Sequence, residues 1–170
     1  MTMQMTEEQR MATDGLRKVL DAEIEPKLRA HGEKFIPKEM MKGFIKTLTE
    51  YGLIRAPFPE QWGGLEMDWV THLRLWEEVG VSAIDLALPI LINVSGADML
   101  IRNASDSVKE KYVPGLLSGE VFISMGISEP DVGSDVAAAK TRAVRDGDYW
   151  VINGEKTWIS NGEHMDIFVC

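Results

Sequence analysis

Gly126-Ile127-Ser128-Glu129-Pro130-Asp131-Val132-Gly133-Ser134-Asp135 is the stretch from which the rest of the chain is best read. Pro130 and Gly133 are turn residues, so neither a helix nor an unbroken strand is expected through it. Gly133, lacking a Cβ, is expected to let a ligand or another backbone approach closely. Backbone N–H groups in such a bend, with the Ser128 and Ser134 hydroxyls, suit a diphosphate or the edge of a heterocycle. The acids Glu129, Asp131 and Asp135 are unwelcome beside phosphate and are expected to point away and brace the loop. On composition alone an ordinary Ser/Asp-rich turn remains the simpler reading. A calcium loop is a weaker reading still, because the alternating ligand positions are not there.

Downstream of this stretch the signals are strands and tight turns. Thr141 to Val144 alternates in part, Asp146-Gly147 is a hairpin signal, and Tyr149 to Ile152 is β-branched and aromatic. Asn153-Gly154 is read as a second hairpin, followed by Lys156 to Ser160, Asn161-Gly162 and the apolar run Ile167 to Cys170. The expectation is an antiparallel meander. An apolar terminal strand needs neighbours, and so few strands make a thin sheet. The native protein is therefore expected to continue past Cys170.

Upstream, the chain reads as helices up to Gly119. Thr6 and Gln9 form a capping box, and Leu16, Leu20, Ile24 and Leu28 follow at helical spacing. A second helix is expected from about Pro37, with Met40, Met41, Phe44, Ile45 and Leu48 on its face. Tyr51 to Leu65, with its glycines and prolines, is a connection. Trp69, Leu73, Trp76 and Val79 mark a third helix face. Ser82, with Asp85, is expected to cap a long buried helix from Ala83 to Ile101. Ser105 is expected to cap a shorter one that runs through Lys111 and ends before Pro114-Gly115. Met and aromatic residues on these faces read as core packing. The fold class is thus α+β: an all-α domain over residues 1–119, then the first strands of a β domain over 120–170.

Composition narrows the function. The 170 residues are 45% apolar and 26% charged, as in a soluble globular protein. A net charge of −9 argues against nucleic acid as a partner. Cys170 is the only cysteine, which rules out an internal disulfide and suits a reducing, cytoplasmic compartment. Met1 to Gln9 shows no secretory pattern and is not Arg-rich. Ala83 to Ile101 is broken by Asp85, Pro89, Asn93, Ser95 and Asp98, so a membrane span is not expected. His31, His72 and His164 have no metal-ligand spacing, and no metal site is expected. No nucleophile elbow or dinucleotide fingerprint occurs. Gly154-Glu155-Lys156-Thr157 only echoes a phosphate loop, because the Lys does not directly follow the Gly.

Taken together, the motifs say more. From Gly126 to Ala138 the order is small residue, aliphatic, Ser, Glu, Pro, then Gly-Ser-Asp; Lys140-Thr141, Asp148 to Lys156 and Trp158-Ile159-Ser160-Asn161-Gly162 follow. Gln61-Trp62-Gly63-Gly64 stands in the helical part. This set resembles the acyl-CoA dehydrogenase family over nearly the whole chain, and the joint spacing removes the turn-only reading. The resemblance implies an N-terminal helical domain, a middle β domain and a C-terminal helical bundle, of which the bundle is missing here. It implies FAD-dependent α,β-dehydrogenation of an acyl-CoA thioester to the enoyl-CoA, with a carboxylate taking the α-proton and FAD the hydride.

Carried over by position, Met125, Ile127, Ser128, Gly133 and Ser134 line the flavin. Ser134 also reaches the diphosphate and the CoA portion of the substrate. Trp158, Ile159 and Ser160 cover the flavin from the neighbouring segment, with Trp158 stacking. No catalytic residue is implied within this chain, because the family's carboxylate lies in the C-terminal bundle, and the chain alone is expected to be inactive. Electron-transfer flavoprotein is the implied acceptor, and the full-length protein is implied to be a homotetramer or homodimer. The helix from Ala83 to Ile101 is implied to wall the acyl pocket, with Met99 and Leu100 contributing. Val132, where many relatives carry a small residue, and Met125, where some carry an aromatic, are departures. A flavin monooxygenase or nitroalkane oxidase on the same scaffold, or a non-catalytic partner subunit, remain the alternatives.

Overall fold

The computed structural model describes residues 4–170. The reading of Met1 to Gln9 as lacking a leader falls partly outside them. α1 (Glu7–Val19) opens with the expected capping box: Gln9 N donates to Thr6 Oγ1 and Thr6 N to Gln9 Oε1, each at 3.1 Å. The apolar stripe Leu16, Leu20 and Ile24 is fully buried and runs on through a π-helical turn, Leu20–Ile24, into α2 (Glu25–His31). Pro26 explains the widened turn. Its ring crowds the carbonyl four residues back, and it has no N–H to give.

α3 (Lys38–Glu50) starts with Pro37 as its N-cap and buries Met41, Phe44, Ile45 and Leu48. α4 (Trp69–Ser82) is capped by Asp68, whose carboxylate accepts from Val70 N at 2.9 Å and Thr71 N at 3.0 Å. Its buried face is the expected one in part: Val79 is fully buried and Trp76 packs against the core. His72, Leu75 and Val79 point inward, while Trp69 and Leu73 are exposed. Both sets recur at helical spacing, and contact with α1 on one side and α5 on the other selects the first.

α5 (Ile84–Asn103) begins after the single non-helical residue Ala83, so Ser82 ends α4 instead of capping α5. By length and hydropathy α5 could cross a membrane. Here Leu86, Ile90, Ala97 and Leu100 on it are buried in the helical core. α6 (Asp106–Ser118) contains Pro114 and ends at left-handed Gly119, one and a half turns beyond the expected stop. An internal proline costs ~3 kcal/mol, and burying Leu116 and Leu117 at ~1.5–3 kcal/mol each offsets it. Ser105 occupies the N-cap, but its hydroxyl pairs with that of Ser107 at 3.1 Å instead of with the backbone.

The core does not stop at the helices. Phe122 and Ile123, at the start of β1 (Ile123–Met125), are fully buried in the same cluster. β2 (Arg142–Asp146) and β3 (Tyr149–Asn153) form the expected hairpin. Its two central residues are Gly147-Asp148, one position later than read from sequence, and Gly147 supplies the positive φ of 59°.

The rest of the expected meander is not formed. β4 (Ile167–Val169) pairs parallel with β1, Ile123 opposite Ile167 and Met125 opposite Val169. Asn153-Gly154 makes no hairpin, and Lys156 to Ser160 is irregular chain. Asn161 and Gly162 lie in a turn in which His164 N and Met165 N both donate to Asn161 O at 2.9 Å. That turn delivers β4 in the same direction as β1, which a two-residue hairpin cannot do.

The junction of the two parts is polar as well as apolar. Asp166 pairs with Lys38 and accepts from Phe122 N at 3.0 Å. Burial works against its charge, but the Lys38 ammonium and the Phe122 N–H prevail and hold the carboxyl below its ordinary value. His164 stacks on Phe35, centroids 4.9 Å apart, and its Nε2–H donates to Ile36 O at 2.8 Å.

Candidate functional site

Glu129 to Val132 closes as a tight turn, with Glu129 N donating to Val132 O at 3.0 Å and Val132 N returning to Glu129 O at 3.1 Å. Pro130 and Asp131 are its central residues, the position for which proline's fixed φ is suited. Val132 is buried at the base of this turn. Gly133 has open space where a Cβ would stand, so the close backbone approach expected there is not made within the chain. The glycine that sterics do require is Gly126. A Cβ there would run into the Phe168 ring, and its N–H donates to Val169 O at 2.7 Å, extending the β1–β4 pairing.

Two of the segments singled out by sequence are brought side by side. Thr157 N donates to Ser128 O at 2.9 Å. Lys156 Nζ donates to Ile127 O at 3.2 Å and to Glu129 Oε1 at 2.9 Å. Ser124, 0% exposed in β1, donates its hydroxyl to Ser160 O at 2.8 Å. The chain from Ser124 to Ser128 thus runs beside the chain from Lys156 to Ser160. Gly133 and Ser134 stand beyond the turn, both exposed, and among the described residues no backbone hydrogen bond ties them to either segment.

Trp158 is the most unusual residue of this group. Its side chain is 93% exposed and its φ is +59°. Left-handed backbone costs a residue with a Cβ ~1–2 kcal/mol, and an indole left in water gains nothing in return. Such strain persists only where flanking contacts impose it. The bonds from Thr157 to Ser128 and from Ser124 to Ser160 are those contacts. An apolar aromatic face held out beside peptide N–H groups and the Ser128 hydroxyl fits a planar heterocycle with polar edges.

Glu129 braces the loop from inside, as expected for an acid in this stretch. It is 7% exposed and accepts from Lys140 N at 2.7 Å, Thr141 N at 2.9 Å and Lys156 Nζ. The Thr141 hydroxyl beside it, which does not reach hydrogen-bond geometry, and these donors hold the carboxyl far below the usual carboxylate range. Asp131 pairs outside with Lys140 at 3.0 Å.

An open cleft of about 1000 Å³ adjoins the second segment, between α5 and residues 159–164. Leu88 and Leu91 from the exposed face of α5, together with Ile159, Asn161 and His164, line it. Leu100 is in the core and Met99 packs against it, so neither forms this wall. Among the described residues, no three His, Cys, Asp or Glu are grouped to hold a metal ion.

Two residues of the site were missed from sequence. Ser124 carries no motif at all. Lys156 was noted in a phosphate-loop echo and at the end of a family motif but given no role, although a loop acid in need of a counter-charge was a reason to look for a lysine.

Comparison with known proteins identifies the family. Residues 6–120 match the acyl-CoA dehydrogenase N-terminal domain and residues 124–170 the acyl-CoA dehydrogenase middle domain. The mitochondrial isovaleryl-CoA dehydrogenase of Pongo abelii is 32% identical over 97% of this chain and 39% of its own length. The glutaryl-CoA dehydrogenase of Desulfococcus multivorans is 37% identical over 74% of this chain and 33% of its own. A solved glutaryl-coenzyme A dehydrogenase–glutaryl-CoA complex superposes with a TM-score of 0.86 at 32% identity, covering 99% of this chain and 43% of that one. The chain belongs to the acyl-CoA dehydrogenase family, a family of flavoprotein oxidoreductases whose cofactor is FAD. It spans about two fifths or less of the length of these relatives.

Proposed function

We propose that this chain is the N-terminal portion of an FAD-dependent enzyme that converts an acyl-CoA thioester to the enoyl-CoA. Residues 1–119 form its helical domain and residues 120–170 the opening of its β domain. The observation that carries the reading is that the bonds from Thr157 to Ser128 and from Ser124 to Ser160 hold exposed Trp158, with its left-handed backbone, beside the first segment. FAD held here in the whole enzyme would supply the hydride acceptor. Met125, Ile127 and Ser128 meet its edge, and peptide N–H donors there favour negative charge on the ring. Trp158 stacks on it, flanked by Ile159 and Ser160. Ser134, with Gly133 beside it, reaches the diphosphate and the CoA portion.

The exposed Leu88–Leu91 face of α5 walls the acyl group, in place of Met99 and Leu100. No carboxylate in these segments serves as the base. Glu129 is held ionised by its donors, and a carboxyl with so low a pKa is a poor proton acceptor. The family resemblance assigns the proton acceptor to the C-terminal bundle, outside this chain, and on this reading the chain by itself is inactive. Electron-transfer flavoprotein as acceptor, a homotetrameric or homodimeric assembly and a cytoplasmic location complete the reading.

The test uses the full-length protein. It purifies yellow, and anaerobic addition of an acyl-CoA bleaches the flavin. An electron-transferring partner, and not dissolved oxygen, restores the colour. Trp158→Ala weakens FAD binding by about tenfold, as expected for the loss of one aromatic stacking contact. A folded, colourless protein that takes up no FAD would sink the proposal, and rapid reoxidation by oxygen would favour the oxidase or monooxygenase alternative.

A further inference from the structure

Glu129 and Lys156 are joined across the site in a way the flavin contacts do not require. Lys156 leaves the backbone one residue before Thr157, whose N–H is bonded to Ser128 O. Its side chain, only 12% exposed, crosses to the other segment and ends on Ile127 O and Glu129 Oε1. Glu129 in turn takes the N–H groups of Lys140 and Thr141, which lead into β2. One buried ion pair therefore touches three stretches of backbone: 127–129, 140–141 and 156–157.

The sheet does not do this job. β1 reaches only the start of the first segment, and the β2–β3 hairpin pairs with neither. We propose that Glu129 and Lys156 act as a positioning pair that sets the spacing between Ile127-Ser128 and Trp158, and so the fit of the flavin between them. This rests on the flavin site proposed above. Neither residue touches the cofactor. They act through the Ile127 and Ser128 backbone on one side and through Thr157 and Trp158 on the other. A buried ion pair is weak as a source of stability, and its best-attested use is to fix one geometry among several. A displacement as small as the slack left by its loss is enough to spoil a stacked contact.

The test titrates FAD into full-length apo-protein carrying Glu129→Gln, Lys156→Met, Lys156→Arg, or Glu129→Gln with Lys156→Met. Each of the Gln and Met single variants binds FAD about tenfold or more weakly, a loss of the size seen when a supporting contact behind a ligand is removed. The visible spectrum of the bound flavin shifts in both. The double variant is no worse than the weaker single, because the two residues act as one unit. Lys156→Arg, which keeps the charge, retains most of the affinity. Thermal unfolding of the apo-protein falls in the Gln and Met single variants, where one buried group loses its partner, and moves less in the double variant and in Lys156→Arg.

Wild-type affinity and spectrum in both single variants would overturn the inference. So would single effects that multiply in the double, or a Lys156→Arg variant as weak as Lys156→Met. Should Glu129→Gln fail to fold, the two Lys156 variants decide alone, since Arg must rescue what Met loses. Wild-type protein that takes up no FAD removes the flavin reading and this inference together. Wild-type uptake with indifferent variants removes the inference only.

Discussion

The helices and the β2–β3 hairpin are held by opposite means. Across α1 to α6 the side chains that matter are apolar and fully buried, from Leu16 and Leu20 through Ile45, Leu48 and Leu75 to Ile90 and Leu116. In the hairpin, all ten residues of Arg142–Asp146 and Tyr149–Asn153 are exposed. Between them the site segments are fixed mainly by hydrogen bonds: Ser124 to Ser160, Thr157 to Ser128, and Glu129 to Lys156. Burial fixes a domain without regard to direction, whereas hydrogen bonds fix a distance and an angle. The site stands where the first kind of order gives way to the second.

Phe122 is the place to break that division. It is fully buried in the helical core, yet its carbonyl accepts from Asp166 N at 2.8 Å and Ile167 N at 3.1 Å in the β part. Phe122→Ala is expected to cost ~3–5 kcal/mol in denaturant unfolding. A cost below ~1 kcal/mol would show that β1 is not anchored in the helical core.

His72 tests the helical side from within. It is 5% exposed, and its Nδ1 has no hydrogen-bond partner. Burial, opposed in part by the Leu53 backbone, lowers its pKa below the ordinary 6.5. The sign follows directly. The stability that the neutral ring contributes is complete above 6.5 and is lost as pH falls from there toward the lowered value. His72→Leu removes an unsatisfied buried nitrogen, for a gain of about 1 kcal/mol at neutral pH. It also flattens the decline in thermal midpoint between about pH 7 and pH 5. An unchanged acid slope would mean that His72 is hydrogen-bonded in solution.

Legibility in the sequence follows the same divide. Leu16, Leu20 and Ile24 announce their helix because burial repeats with its period, and the Thr6–Gln9 cap is local chemistry. The α4 face was misread at Trp69 and Leu73, though not at Trp76 and Val79, because neighbouring stripes share one period, and only packing against α1 and α5 chooses between them. The end of α6 was misread because a local proline rule lost to the burial of Leu116 and Leu117. The parallel pairing of β1 with β4 carries no local signal, since its partners are far apart in sequence. Family motifs picked out Ile127, Ser128, Trp158 and Ser160. They gave no hint of Ser124, a lone buried serine, or of the Glu129–Lys156 link, whose halves belong to different motifs.

The hairpin offers the smallest effect and the sharpest use of the comparison. Successive strand residues face opposite ways, so Val144 with Val151 and Ala143 with Ile152 sample both faces of the ribbon. Both faces are open, and a two-stranded ribbon is marginal on its own. Val144→Thr and Ile152→Thr, one on each face, should therefore change the unfolding free energy of the 170-residue chain by less than ~0.5 kcal/mol. Threonine keeps the β branch and sets a hydroxyl where a methyl stood, which costs little in water and much where the face is covered. Repeating the pair in a longer polypeptide identifies the face that acquires a neighbour. Substitution on that face then costs ~1 kcal/mol or more, while the other face stays near zero. Equal costs on both faces would place the hairpin inside a sandwich, and a large cost already in the 170-residue chain would show that the hairpin folds back onto the helices.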